Sequence, residues 1–297
     1  MLPSYHKLSK QQLQKRADQA WQLLSPCRLC PRQCQVDRLK GEFGFCQVGS
    51  QPLISSYHPH FGEEKVLVGS GGSGAIFFAS CNLACLFCQN YEISHWRIGQ
   101  ELQIKELAEM MLKLQRHSCH NINLVSPTIW LPAILSALIL ARDQGLKIPL
   151  VYNSGGYDAV DSLKLLKDIV DIYMPDLKYS DSKMAKRYSL VDNYFEVAKV
   201  AIKQMYQQVG DLQIGADGLA QKGVLVRHLI LPNQLAGSQK VIKFLSSLSK
   251  NTYLNLMDQY YPAFKAFSLT ELNRPITSAE YQQALDLAKA AGLHRFA

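Results

Sequence analysis

Apolar residues recur along this chain in two alternating rhythms. Short runs of branched and aromatic residues have the length and composition of buried strands: "AIFFAS" (75–80), "INLVS" (122–126), "PLVYNS" (149–154), "VDIYMPDLK" (170–178), "GVLVRHLILP" (223–232) and "TYLNLMD" (252–258). Between them apolar positions return every three or four residues, the period of a helix with one buried face. These segments are 106–117, 131–145, 158–169, 194–208 and 238–249, and a last one at 278–292 closes the chain. Strand, helix and strand in repetition call for an α/β fold with a parallel sheet and right-handed crossovers. Six strands are fewer than the eight of a closed barrel, so periodicity leaves a partial barrel or an open doubly wound sheet. In either, ligands sit at the C-terminal ends of the strands.

Ahead of the first strand the pattern changes. Residues 6–24 read as a helix with Leu8, Leu13, Trp21 and Leu24 on its apolar face, ended by Pro26. A cysteine-rich segment runs to Cys46, and a stretch containing Gly and His leads to "GSGGSG" at Gly69 to Gly74. With no strand before it and no helix directly after, that motif is a flexible connection or tight turn and a poor phosphate loop. The chain therefore divides into a helix with a Cys-rich extension, 1–70, and the barrel, 71–297.

Composition narrows the class. The 297 residues are 47% hydrophobic and 19% charged, as in ordinary globular proteins. The opening "MLPSYHKLSKQQLQKRADQ" lacks the apolar core of a secretory signal, and "IWLPAILSALILA" (129–141) is too short for a bilayer and contains Pro132. The expectation is a cytoplasmic protein without a membrane partner, in which disulfides are rare. Its net charge of +8 suits anionic partners, but the Lys and Arg residues are dispersed. No RNA-binding signature appears, so a basic but ordinary surface is expected over a nucleic-acid role.

The eight cysteines then need another reason, and seven of them fall in two groups. "CNLACLFCQN" sets Cys81, Cys85 and Cys88 directly after the first strand, on the ligand-binding face. Thiolates favour soft metals, and an iron–sulfur cubane normally takes four. Three thiols hold three irons and leave the fourth open to a substrate or cofactor. A structural zinc site that borrows a fourth ligand such as His95 is the bland alternative. "CRLCPRQC" and "GEFGFC" give Cys27, Cys30, Cys34 and Cys46. Four thiols form a saturated site for zinc or a second iron–sulfur cluster, with a structural or electron-relay role, and spacing does not separate the two metals. Cys119 stands alone.

The three-cysteine loop resembles the signature of the radical S-adenosylmethionine (SAM) enzymes: three residues between the first two thiols, then the apolar–aromatic pair Leu86 and Phe87 before the third. The wider "CNLACLFCQNYEIS" is similar to the subgroup related to pyruvate formate-lyase activating enzyme, and the "C-x-x-C-P" opening resembles the N-terminal region of activating-enzyme-like proteins. The resemblance implies a partial (β/α)6 TIM-like barrel and a [4Fe–4S] cluster on Cys81, Cys85 and Cys88, with SAM chelated to its unique iron. Reductive cleavage would yield methionine and a 5′-deoxyadenosyl radical that abstracts hydrogen. A reductant such as flavodoxin or ferredoxin is implied, and the hydrogen donor could be a glycyl radical enzyme; a small metabolite or an RNA base stays open.

The later strand ends supply SAM contacts on this reading. "VSPT" replaces the family's Gly-Gly-Glu motif, leaving Ser126 and Thr128 for the amino group, or simply as helix caps. Asn153 and Ser154 reach the ribose or serve a turn. Asp176 and Lys178 share one face by strand alternation and resemble the activating enzymes' D-x-K, or they are an ordinary ion pair. Arg227, costly in mid-strand without an anion, suits the SAM carboxylate. His228 reads as structural, and Asp258 and Gln259 face substrate or adenine. No acid–base residue is assigned. The rival reading is a non-catalytic zinc-binding protein associated with nucleic acid.

Overall fold

The computed structural model describes residues 2–297. Among them the strands are β1 (Leu53–His60), β2 (Ser73–Phe78), β3 (Gln100–Glu101), β4 (Ile122–Val125), β5 (Leu150–Ser154), β6 (Ile172–Pro175), β7 (Gln213–Ile214), β8 (Ala220–Leu229), β9 (Tyr253–Met257) and β10 (Arg295–Phe296). They form one sheet in the order β10-β9-β8-β6-β5-β4-β2-β1-β3, with β7 paired to β8. The six expected strands are all present and adjacent, each parallel to the next from β2 through β4, β5, β6 and β8 to β9. Every residue of β5 and β6 is buried, as continuous apolar runs in a sheet covered on both faces require. The sheet's two ends do not meet, which makes this a partial barrel.

Helices Ile104–Arg116, Leu131–Asp143, Val160–Leu165, Tyr194–Val209 and Ser238–Leu248 form the crossovers. The helix expected at 6–24 is a short 3-10 turn, Ser4–Lys7, followed by Lys10–Gln22. Its start is fixed by a capping box: Gln12 N–H donates to Ser9 Oγ at 3.1 Å, and Ser9 N–H to Gln12 Oε1 at 2.7 Å. The segment packs on the outside of the barrel, where Trp21 Nε1 donates to Ser136 Oγ at 3.0 Å. It also covers the N-terminal strand ends, with Ser4 N–H donating to Asp171 Oδ1 at 2.8 Å and the Tyr5 hydroxyl to the Ile148 carbonyl at 2.9 Å.

Two elements depart from the expected pattern. β1, "LISSYHPH", carries Ser and His where a strand signal needs branched residues; its antiparallel pairing with β2, one strand in from the sheet edge, supplies the order. Helix Ser182–Ser189 is short and polar, and Asp181 caps it by accepting from the N–H groups of Lys183 and Met184. "GSGGSG" is a tight turn into β2, which begins inside it at Ser73. Gly71 is required there, because a Cβ would lie 1.9 Å from the Ser118 carbonyl oxygen. No helix among the described residues is long and apolar enough to cross a membrane.

Candidate functional site

Immediately after β2 the chain turns at Ser80, which takes φ +66°. Cys81, Cys85 and Cys88 then line a cavity of about 140 Å³ at the C-terminal strand ends, with Val125, Asn153 and Arg227 on its far wall. Cys85 is buried and the other two are half-buried. Each sulfur has a polar neighbour: Leu83 N–H donates to Cys81 Sγ at 3.4 Å, Ser189 Oγ–H to Cys85 Sγ at 2.9 Å, and Ser94 Oγ lies 3.1 Å from Cys88 Sγ. Tyr179 completes a relay, its hydroxyl 2.8 Å from Ser189 Oγ. Burial, with the neighbouring Cys85 adding to it, pushes the Cys81 thiol up to about 12. Burial also raises Cys85, against the pull of the Lys178 ammonium.

His95, the residue able to close the site as a fourth ligand, faces elsewhere. Its Nε2 lies 3.0 Å from the Cys85 carbonyl and its ring packs against Phe264. No group of three or more described His, Cys, Asp or Glu residues is placed to share one metal ion. Three thiols in one loop, each with a donor toward its sulfur, fit a polynuclear cluster in which every thiolate takes its own iron and one iron stays free.

Opposite the thiols stands a wall of charge. Register puts Phe77 beside Val125, Val125 beside Asn153, and Asp176 beside Arg227. Asp176 accepts from Lys178 Nζ at 2.5 Å and from Arg227 Nε at 2.9 Å. Arg227 spends a further N–H on Asn153 Oδ1 at 2.6 Å and lies 3.5 Å from Glu63 Oε2. Burial raises the Asp176 carboxyl, yet Lys178 and Arg227 outweigh it and hold the group below the usual carboxylate range. Burial likewise opposes the charge of Lys178 and of Arg227, but Asp176 holds each above its ordinary value. The anion that makes a mid-strand Arg affordable is therefore the chain's own Asp176, seconded by Glu63. Gly156, at φ +75°, turns the β5 loop so closely over this strand that a Cβ would meet the Asp176 carbonyl at 2.1 Å.

A larger cavity of about 400 Å³ shares Cys85, Cys88, Asp176, Lys178 and Arg227 with the first and extends to His60, Glu63 and Gln259. That volume lies within the range of ligand pockets. Burial raises the Glu63 carboxyl while Arg227 draws it down. One layer lower, Asn123 has neither side-chain atom paired, and Glu64 Oε2 is also without a partner. The barrel floor is thus polar enough to hold water or the polar end of a ligand.

The other expected residues divide. Ser126 and Ser154 line the smaller cavity with Asn153, whereas Thr128 does not. Thr128 Oγ1, Ser154 Oγ and the Tyr152 hydroxyl instead converge on the buried carboxylate of Asp158, at 2.7, 2.6 and 3.0 Å. Burial raises Asp158 against those three donors. His228 is fully buried behind the wall, between the Leu177 carbonyl and Ser238 Oγ, as a structural histidine should be. Gln259 reaches the larger cavity; Asp258 is exposed outside it. Glu63, His60, Asp158 and Ser189 had no motif to mark them. The acidic pair in "GEEK" was the one available signal for Glu63.

The N-terminal thiols gather in a separate pocket, where Cys27, Cys30, Cys34 and Cys46 stand with Arg32, Arg38 and Asn82.

The family model for the radical SAM superfamily matches residues 75–218. The uncharacterized protein MJ0674 of Methanocaldococcus jannaschii is 34% identical over 277 residues, covering 90% of this chain and 75% of its own. The pyruvate formate-lyase-activating enzyme of Clostridium pasteurianum is 24% identical over 188 residues, covering 62% of this chain and 71% of its own. Among solved structures, HydG, a maturase of the [FeFe]-hydrogenase, superposes with a TM-score of 0.51 at 10% identity, over 98% of this chain and 63% of that one. This last likeness concerns the fold alone.

Proposed function

The chain belongs to the radical SAM superfamily, and from that premise we propose that Cys81, Cys85 and Cys88 hold a [4Fe–4S] cluster whose free iron binds SAM. When bound, the cluster and SAM supply one-electron cleavage of the sulfonium to methionine and a 5′-deoxyadenosyl radical that takes hydrogen from a substrate. The chain's own residues position and shield. Ser189, Ser94 and the Leu83 N–H orient the thiolates and tune them by hydrogen bonding. Asn153 and Ser126 line the smaller cavity and serve the SAM ribose and amino group. Lys178 and the N–H groups Arg227 has left would face the SAM carboxylate, while Asp176 would accept from an N–H of its amino group. Ser154 and Thr128 would act through Asp158, whose hydrogen bonds to both hydroxyls tie the end of β5 to the loop after β4. The larger cavity would then receive the substrate, and the residues it shares with the first would hold the two reactants side by side.

The observation that carries this reading is that the three thiols and the Asp176–Lys178–Arg227 group line one cavity, which shares Cys85, Cys88 and that charged group with its larger neighbour. Flavodoxin or ferredoxin is the expected type of reductant, and a backbone glycine of a partner enzyme is the expected hydrogen donor, supported by the likeness to the clostridial activating enzyme. A cytoplasmic setting suits the unbridged thiols. The zinc and nucleic-acid reading finds no support in the fold or the relatives. Anaerobic protein loaded with iron and sulfide, given SAM and dithionite, should release 5′-deoxyadenosine, and Cys85→Ala should abolish it. An iron-loaded sample that leaves SAM intact would overturn the proposal.

A further inference from the structure

We propose that Cys27, Cys30, Cys34 and Cys46 hold a second iron–sulfur cubane, seated against the loop that carries Cys81. The site is independent of the SAM reading. Four free thiols separated in sequence fold onto one pocket, and the backbone is shaped for them. A Cβ on Gly44 would lie 2.8 Å from Cys34 Cβ and 2.9 Å from its sulfur, so only glycine lets the chain pass. The following residue, Phe45, donates its N–H to Cys34 Sγ at 3.4 Å.

Charge supplies the second argument. Arg38 is 2% exposed, and its hydrogen bonds go to the neutral carbonyls of Gly49 and Ile129. Arg32 stacks on Phe45 at 3.4 Å and donates to the carbonyls of Asn82, Leu190 and Ser189. Arg38 is buried and Arg32 half-buried, and a cation drawn out of water with neutral acceptors alone is costly. Four neutral thiols do nothing to offset two of them. Four thiolates around a dicationic core carry a net charge of about −2, which matches Arg32 and Arg38 in sign and number.

The arrangement of the thiols agrees with a cubane and offers no single-ion zinc site. A tetrahedral zinc holds each sulfur at about 2.3 Å, hence all four within about 4 Å of one another. No three of the described candidate ligands are placed to share one ion. A cubane spreads its thiolates over four irons and tolerates wider spacing. The pocket is also fastened to the first site on both sides of Cys81. Ser80 Oγ–H donates to the Cys46 carbonyl at 2.6 Å, and Arg32 Nε to the Asn82 carbonyl at 2.9 Å.

Two variants of the full chain, purified and reconstituted without oxygen, test the two sites separately. Cys30→Ala/Cys34→Ala should lower iron and sulfide by about four each relative to wild type, whatever Cys81, Cys85 and Cys88 bind. Cys81→Ala/Cys85→Ala/Cys88→Ala should keep about four iron and four sulfide, with an electron paramagnetic resonance signal on reduction. Iron and sulfide unchanged in the first variant, or zinc lost in their place, would overturn the inference. So would a folded triple variant that carries zinc, or no metal. Should the first variant fail to fold, the triple variant decides alone.

Discussion

Asp176→Asn changes one charge and almost no volume, which makes it the sharpest probe of the site wall. The carboxylate sits 2.5 Å from Lys178 Nζ and 2.9 Å from Arg227 Nε, with side chains only 17% and 18% exposed on the two cations. At an effective dielectric near 20, each such pair is worth on the order of 6 kcal/mol before desolvation is subtracted. Stripping the anion from a buried pair costs about 3–5 kcal/mol, because the remaining charge is left uncompensated. Glu63 still reaches Arg227 at 3.5 Å, so the lower end, about 3 kcal/mol, is expected. That corresponds to a fall in thermal midpoint of about 5 °C for a chain of this length, read by scanning fluorimetry under nitrogen. The sign of its pH dependence follows from the depressed carboxyl. Wild type keeps this contribution above the unfolded-state value of about 3.9 and loses it as pH falls through the lower folded value. The gap between wild type and Asp176→Asn should therefore be constant above about pH 5 and close below about pH 4. Formation of 5′-deoxyadenosine should drop at least about tenfold, because the charges that orient SAM lose their shared anchor. A variant with an unchanged midpoint and normal SAM cleavage would refute the buried-network argument and the placement of SAM on this wall together.

Two further outcomes follow from named contacts. Ser189→Ala removes the hydroxyl that donates to Cys85 Sγ; redox titration of the cluster signal should move to a more negative potential, since fewer hydrogen bonds to sulfur stabilise the reduced form less. An unmoved potential would place the cluster away from Cys85. Burial lowers His228 to about 4, so wild type keeps its stability above about pH 6.5 and loses about 3 kcal/mol on acidification toward pH 4. His228→Gln should flatten stability over that window in a pH series of urea midpoints, and an unaltered slope would show that His228 is not held neutral in the fold.

The sequence by itself settled the repeating unit and the three-thiol loop. Continuous apolar runs such as "PLVYNS" can be satisfied only by a sheet covered on both faces, and the 3.6-residue segments between them supply the cover. Both are local properties, set by side-chain period and by thiols within eight positions of one another. What stood far apart in the chain was decided by packing. β1 is a strand because β2 offers it a ladder, and Glu63 joins the site because that ladder swings residues 61–64 over the barrel mouth. Arg227 could be recognised as needing an anion, but only the 51-residue jump between adjacent strands identifies Asp176 as its partner. Thr128 looked equivalent to Ser126 at a strand end; the tertiary structure turned it toward Asp158, where its buried hydroxyl finds an acceptor. Ionic and hydrogen-bonding partners across such separations leave no period in a sequence, because burial, which appears only on folding, determines which charges must meet.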